Sequence, residues 1–261
     1  MDLEALKWEN HNLDLYRIER RLEEYIGLRN EREIKIEEDY LRVCRNLKLV
    51  FFEDHSPQRG TGDWDFANAN WELDTSIYVS SPASLKIYNN HTACKIPETL
   101  DIPEGRIVSY IRFGDDWGVE YGQCPVLSFR NNDDAGTITV TSGEFRDYSF
   151  VANGYNIWLN NYKLEIRFYE GGVAGLIAKK SIVSKPPHAN VFNKYRFTFW
   201  ISDGVLIMRP EWYDETEETW KSMTDDFTDS TPAFEEPNNR VGVGNDKGSN
   251  WFDDIEIWKR I

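Results

Sequence analysis

Lys194-Tyr195-Arg196-Phe197-Thr198-Phe199-Trp200-Ile201, then Ser202-Asp203-Gly204, then Val205-Leu206-Ile207-Met208-Arg209, is the stretch on which the fold turns. Successive side chains of a strand point to opposite faces. Tyr195, Phe197, Phe199 and Ile201 therefore share one face and read as core, while Lys194, Arg196, Thr198 and Trp200 share the other. An Asp-Gly pair between two such runs marks a hairpin.

The same period of two continues on both sides. Leu47 to Phe52 reads as a first strand, and Ile77-Tyr78-Val79 and Ser84 to Tyr88 as short strands around Ser80-Ser81-Pro82. Arg106 to Phe113 alternates well; Val126 to Arg130 and Thr137 to Val140 follow, split by a loop rich in Asn and Asp. Gly154 to Leu159 and Tyr162 to Tyr169 meet at Asn160-Asn161 as a second hairpin, and Trp251 to Trp258 closes the chain. Many short strands with turn signals between them predict an antiparallel jelly-roll sandwich over 47–261.

Residues 1–46 read differently. They are densely charged and poor in turn residues. Leu15, Ile18, Leu22 and Tyr25 fall at spacings of 3, 4 and 3, one narrow stripe of a helix. Past Gly27, Ile34, Ile36, Tyr40, Leu41 and Val43 suit a second helix. The segment is expected to be a helical arm that either gathers copies through the stripe, a trimer being favoured, or lies on its own sandwich.

Composition narrows the partners. Of the 261 residues, 14% are aromatic, which suits half-buried pleated surfaces, and the formal charge of −15 argues against nucleic acid. No stretch approaches the apolar length of a membrane helix. The start, Met1 to Lys7, has neither a basic region nor a long apolar run, so a secretory signal is not expected. Cys44, Cys94 and Cys124 have no metal-ligand spacing and read as buried thiols.

Three stretches carry a family resemblance. Trp71-Glu72-Leu73-Asp74 through Ser84-Leu85-Lys86-Ile87 looks like an early hairpin ending in Ser-Leu-Lys-apolar. Tyr195 through Val205 looks like a central strand, Asp-Gly, strand unit. Val241-Gly242-Val243-Gly244 through Phe252-Asp253-Asp254-Ile255 looks like a closing strand. Together they resemble the concanavalin A-like, laminin-G-type jelly rolls, which include lectins and carbohydrate-binding modules. The resemblance covers about residues 47–261. It implies a sandwich, and leaves function to be argued from a site.

For sugar binding, the informative residues are rings and cations on the faces opposite the core. Trp158, Arg167, Tyr169, Arg196 and Trp200 are all out of phase with the core residues of their strands, and an exposed sheet face bearing them would stack sugar rings. Trp117 is a separate loop candidate. The alternative for such a tryptophan is cover by a loop or by the helical arm. No cofactor is required, but jelly-roll modules of this kind often hold a structural calcium ion. Asp54 or Asp63 near the first strand and Asp253 or Asp254 near the last are the ligands this implies, the alternative being that they cap turns.

Catalytic patterns are weak. Asp254 and Glu256 alternate onto one face, yet they belong to the closing strand rather than to a catalytic one. The four histidines are scattered, and no nucleophile motif is present. The expectation is a non-enzymatic, lectin-like sandwich displayed on an oligomerising arm. It would be a virus or phage surface component (fibre, spike or decoration), on the virion or extracellular surface, contacting glycans or other surface proteins. A secreted carbohydrate-binding module and a glycoside hydrolase of the same fold are the alternatives.

Overall fold

In the computed structural model the decisive hairpin closes in the register its alternation dictates. Tyr195 pairs with Trp212, Phe199 with Met208 and Ser202 with Val205. Asp203 and Gly204 take positive φ values of 49° and 77°, the two-residue turn that right-twisted strands accept.

The structure describes residues 31–53, 65–66, 71–80, 82–88, 92–95, 100–114, 125–129, 154–159, 163–170, 173–184, 190–232, 241–245 and 248–261. In chain order these give helix α1 (Glu31–Arg45), then β1 (Leu47–Glu53), β2 (Asp65–Phe66), β3 (Trp71–Asp74), β4 (Ser84–Ile87) and β5 (Thr92–Lys95). Next come β6 (Gly105–Phe113), β7 (Pro125–Phe129), β8 (Gly154–Leu159), β9 (Lys163–Glu170) and β10 (Val173–Ser181). The series ends with β11 (Phe192–Ser202), β12 (Val205–Asp214), β13 (Thr219–Ser222), β14 (Phe227–Asp229), β15 (Gly242–Asn245) and β16 (Asn250–Arg260).

Among the described residues these strands form two antiparallel sheets. A nine-stranded sheet runs β13-β12-β11-β6-β16-β4-β3, with β1 also on β16 and β14 also on β12. A seven-stranded sheet runs β10-β9-β8-β7-β15-β5-β2. The fold is thus mainly β, an antiparallel sandwich with a helix before it. Between the sheets Tyr195, Phe197 and Phe199 meet Phe129, Tyr155, Ile157, Leu164 and Ile166 in one continuous apolar core. Close strand approach is enforced at Gly105, where a Cβ would come within 2.3 Å of the Trp258 carbonyl oxygen.

Helix α1 lies on the outer face of the nine-stranded sheet. Tyr40, Val43 and Cys44 are buried there against Val108, Trp200, Ile207 and Trp258. Complete burial of a side chain such as Val43 stabilises by about 1.5–3 kcal/mol. Arg42 and Arg45 occupy the last turn, where cations favour the helix dipole. Asn46 ends the helix: its Nδ2 donates to the Arg42 carbonyl at 2.7 Å, and its own carbonyl accepts from Ile261 N at 2.9 Å. Among the described residues no helix is long and apolar enough to cross a membrane.

Some elements differ from the sequence reading. Ile77-Tyr78-Val79 is a bend rather than a strand, because Asp74 Oδ1 accepts the amides of Ser76 and Ile77 and turns the chain. β10 is hidden in the sequence because a bulge between Leu176 and Ala178 breaks its alternation. The strand expected at 137–140 and the stripe of Leu15, Ile18, Leu22 and Tyr25 lie outside the described residues.

Candidate functional site

Trp158, Arg167, Arg196 and Trp200 are out of phase with the core residues of their strands, yet the topology divides them between sheets. Trp158 and Arg167 stand on β8 and β9 of the seven-stranded sheet, with Tyr169 on β9 opposite Gly154. Arg196 and Trp200 stand on β11 of the nine-stranded sheet. The single face that would have joined all five is therefore not formed. Trp117 lies outside the described residues.

Arg196 and Trp200 are corrected further, since α1 covers them. Trp200 is fully buried, with the Tyr40 ring at 5.1 Å between centroids. Arg196 donates from Nε and Nη2 to Glu211 at 2.5 and 2.8 Å, and from Nη2 to the Tyr40 hydroxyl at 3.2 Å. Arg106 donates to Thr198 Oγ1 at 3.0 Å and to Cys44 Sγ at 2.9 Å. Arg209 bridges Glu37 on the helix and Asp226, each with a contact of 2.6 Å. Burial pushes the Glu211 carboxyl up, but Arg196, with Arg209 and Arg106 beyond, outweighs it and holds the carboxyl below its ordinary value. This face is a helix seat. Arg196 and Arg209 are committed to carboxylates, and the Trp200 ring lies under Tyr40.

The outer face of the seven-stranded sheet is different. Tyr155, Ile157 and Leu159 of β8 point into the core, which sends Asn156 and Trp158 outward. Asn156 is fully buried, and among the described residues neither its amide oxygen nor its amide nitrogen has a hydrogen-bond partner. Leaving such a group unpaired costs about 1–3 kcal/mol. In register with it stand Arg167 on one side and Ser128 on the other, with Gly242 beyond, presenting no side chain.

Trp158 is only 7% exposed, and the Arg167 guanidinium lies 4.7 Å from its ring centroid. That stacking is a cation–π contact and occupies ring surface expected to be open. Arg167 Nε also donates to Glu165, which pairs with Lys179 at 3.3 Å. The accessible rim of the face is Lys179, 46% exposed at its side chain, and Leu176, 60% exposed.

Asp253 and Asp254 sit at a bulge of β16 opposite β6. Asp253 pairs with Tyr110 and Glu256 with Val108, which leaves an extra residue between them, and Asp254 takes a φ of 45°. Asp253 is buried. Its Oδ2 accepts the amides of Val79 and Ser80 at 2.7 and 3.1 Å, and its Oδ1 accepts that of Asp254 at 2.8 Å. Burial pushes its carboxyl up to about 6, against the downward pull of the Val79 and Ser80 amides. Asp254 accepts from Ser80 Oγ at 2.8 Å.

These bonds are those of turn-capping carboxylates, the alternative reading of Asp253 and Asp254. Among the described residues no group of three or more His, Cys, Asp or Glu side chains gathers to hold a metal ion. Asp54 and Asp63 lie outside the described residues. The bulge also corrects the Asp254–Glu256 alternation, since Asp253 rather than Asp254 holds the ladder position next to Glu256, whose Oε2 accepts from Trp258 Nε1 at 3.0 Å.

Asn156 was the residue sequence reasoning missed. A polar amide between two core residues, in phase with Trp158, was the available signal.

No protein-family model and no curated protein matches this sequence. Solved structures share its fold. The Ca2+-bound exoplasmic/lumenal domain of VIP36 aligns with a TM-score of 0.51 at 10% identity, over 83% of this chain and 93% of its own. The Ca2+/Man2-bound form of that domain aligns with a TM-score of 0.50 at 10% identity, over 83% and 90%. A variant of the Emp46p carbohydrate recognition domain aligns with a TM-score of 0.51 at 9% identity, over 77% and 90%. The sandwich has the concanavalin A-like lectin fold.

Proposed function

We propose that this chain is a non-enzymatic, lectin-like binding protein that engages a glycan on the outer face of the seven-stranded sheet, along the row of Arg167 and Asn156 beside Trp158. The observation that carries this reading is the buried, unpartnered amide of Asn156. Because the amide is fully buried, a sugar on the face reaches it through a bridging water, which both donates and accepts and so completes both halves of the amide. Glu165, Arg167 and Lys179 supply further hydrogen-bonding groups along the rim. The likeness to a domain seen with Man2 supports the ligand class.

The wider setting we propose is display on a virus or phage surface, with residues 1–46 as the arm and 47–261 as the sandwich. Because α1 spends its apolar face on its own sheet, self-association falls to the stripe of Leu15, Ile18, Leu22 and Tyr25. A second reading, a secreted carbohydrate-binding module that works as a monomer, is favoured by that same packing of α1.

The test is calorimetric titration of the full chain with a panel of neutral oligosaccharides, mannose disaccharide included. Saturable binding that Arg167→Ala weakens supports the reading. A panel with no binder contradicts it.

A further inference from the structure

At one end of the nine-stranded sheet lies an open cleft of about 480 Å3, away from the row of Asn156. Arg42 from the last turn of α1, Pro103 and Glu104 before β6, Ile201 near the end of β11, Pro232 after β14 and Arg260 at the end of β16 line it. Gly204, in the β11–β12 turn, opens onto it, and a Cβ there would meet nothing within 4 Å. Clefts of about 300–1,000 Å3 with an apolar floor and a few convergent polar groups are the usual seats of small ligands.

The two guanidinium groups are held from behind. Arg42 bonds Asp39 through Nε and Nη2, at 3.3 and 3.2 Å to the same carboxylate oxygen. Arg260 bonds Glu104 Oε2 through Nη1, while Glu104 Oε1 accepts the Ile201 amide at 2.8 Å. Among the described residues, Arg42 Nη1 and Arg260 Nε and Nη2 have no partner, and the two side chains are 41% and 32% exposed. Asp39 thus takes the Nε–Nη2 edge of Arg42 and leaves its Nη1 end, while Glu104 takes Nη1 of Arg260 and leaves its Nε–Nη2 fork. A planar fork of N–H donors matches a carboxylate. Proline and isoleucine surfaces suit the apolar face of a compact ring.

We infer that this cleft is a second ligand site, independent of the sheet face proposed above, that takes a carboxylate borne on a compact sugar ring, the chemistry of a uronic acid. Its ligand differs in charge from the neutral sugars of the first site, so the two are separable by probe as well as by variant.

The experiment titrates the full chain with glucuronate, with glucose and acetate as controls. Saturable glucuronate binding is expected, with glucose and acetate each roughly ten-fold weaker or undetectable, because each lacks either the charge or the ring. Arg42→Gln, on the exposed side of α1, and Arg260→Gln should each weaken glucuronate about ten-fold, and Asn156→Leu should leave it unchanged. Glucuronate binding no tighter than that of glucose or of acetate overturns the inference. So does binding that survives both arginine substitutions in chains that still fold.

Discussion

Arg196 and Glu211 face each other across β11 and β12, joined by two charge-assisted hydrogen bonds and sealed under α1 at 2% and 9% side-chain exposure. A buried pair of this kind adds little net stability over apolar residues of the same shape, yet breaking it strands a charge. Arg196→Met should therefore destabilise the fold by about 3 kcal/mol, while Arg196→Met combined with Glu211→Leu should recover most of that loss. Urea denaturation measures both. Equal losses in the single and double variants would show that the pair is not the source.

Among the described residues the Tyr195 hydroxyl, in the core, has no hydrogen-bond partner, and burial pushes its ionisation well above the usual tyrosine range. Removing an unsatisfied group returns its desolvation cost. Tyr195→Phe should raise stability by about 1 kcal/mol by the same urea measurement. A loss of comparable size would mean that the hydroxyl is paired.

Asp253 gives the protein a pH dependence of defined sign. Its carboxyl is raised from 3.8 to about 6 in the folded chain, so folding is favoured while the group is protonated. Its contribution is full below about 4 and is lost as pH rises through about 6. Thermal midpoints of the native chain and of Asp253→Asn, compared between pH 4 and 7, should diverge to the native chain's disadvantage as pH rises, then run parallel. A difference constant over that range would exclude the shift. Glu211 has the opposite sign, and its contribution is lost as pH falls through its depressed value.

If the arm gathers copies, Leu15→Ser with Leu22→Ser should convert a multimer into single chains, read as solution mass by light scattering, without lowering the thermal midpoint. Single chains before the substitution would favour the module reading. Deleting residues 1–46 is a different experiment, because it removes α1 and uncovers Trp200, Ile207 and the arginine cluster. That truncation should aggregate or lose stability.

The in-and-out phase of the strands was legible in the sequence, as Tyr195, Phe197 and Phe199 against Arg196, Thr198 and Trp200 show. Hydrophobic alternation is a local property, and burial enforces it. Which sheet a strand joins is a long-range property, and so alternation groups Trp158 with Trp200 although they stand on different sheets. Covering is equally non-local. Nothing around Trp200 in sequence reveals that Tyr40 lies on it, although Tyr40, Val43 and Cys44 fall on one side of a helix. Bulges account for two further differences: one hides β10, and another moves Asp254 out of the face that alternation assigns it.

The central claim is that the outer face of the seven-stranded sheet binds a glycan through Asn156, and Asn156→Leu tests it most directly when stability and affinity are measured on the same protein. Replacing an unpaired amide with an apolar side chain of similar volume should raise stability by about 1–3 kcal/mol while abolishing oligosaccharide binding. A variant that is less stable, or that binds as tightly as the native chain, would contradict the account.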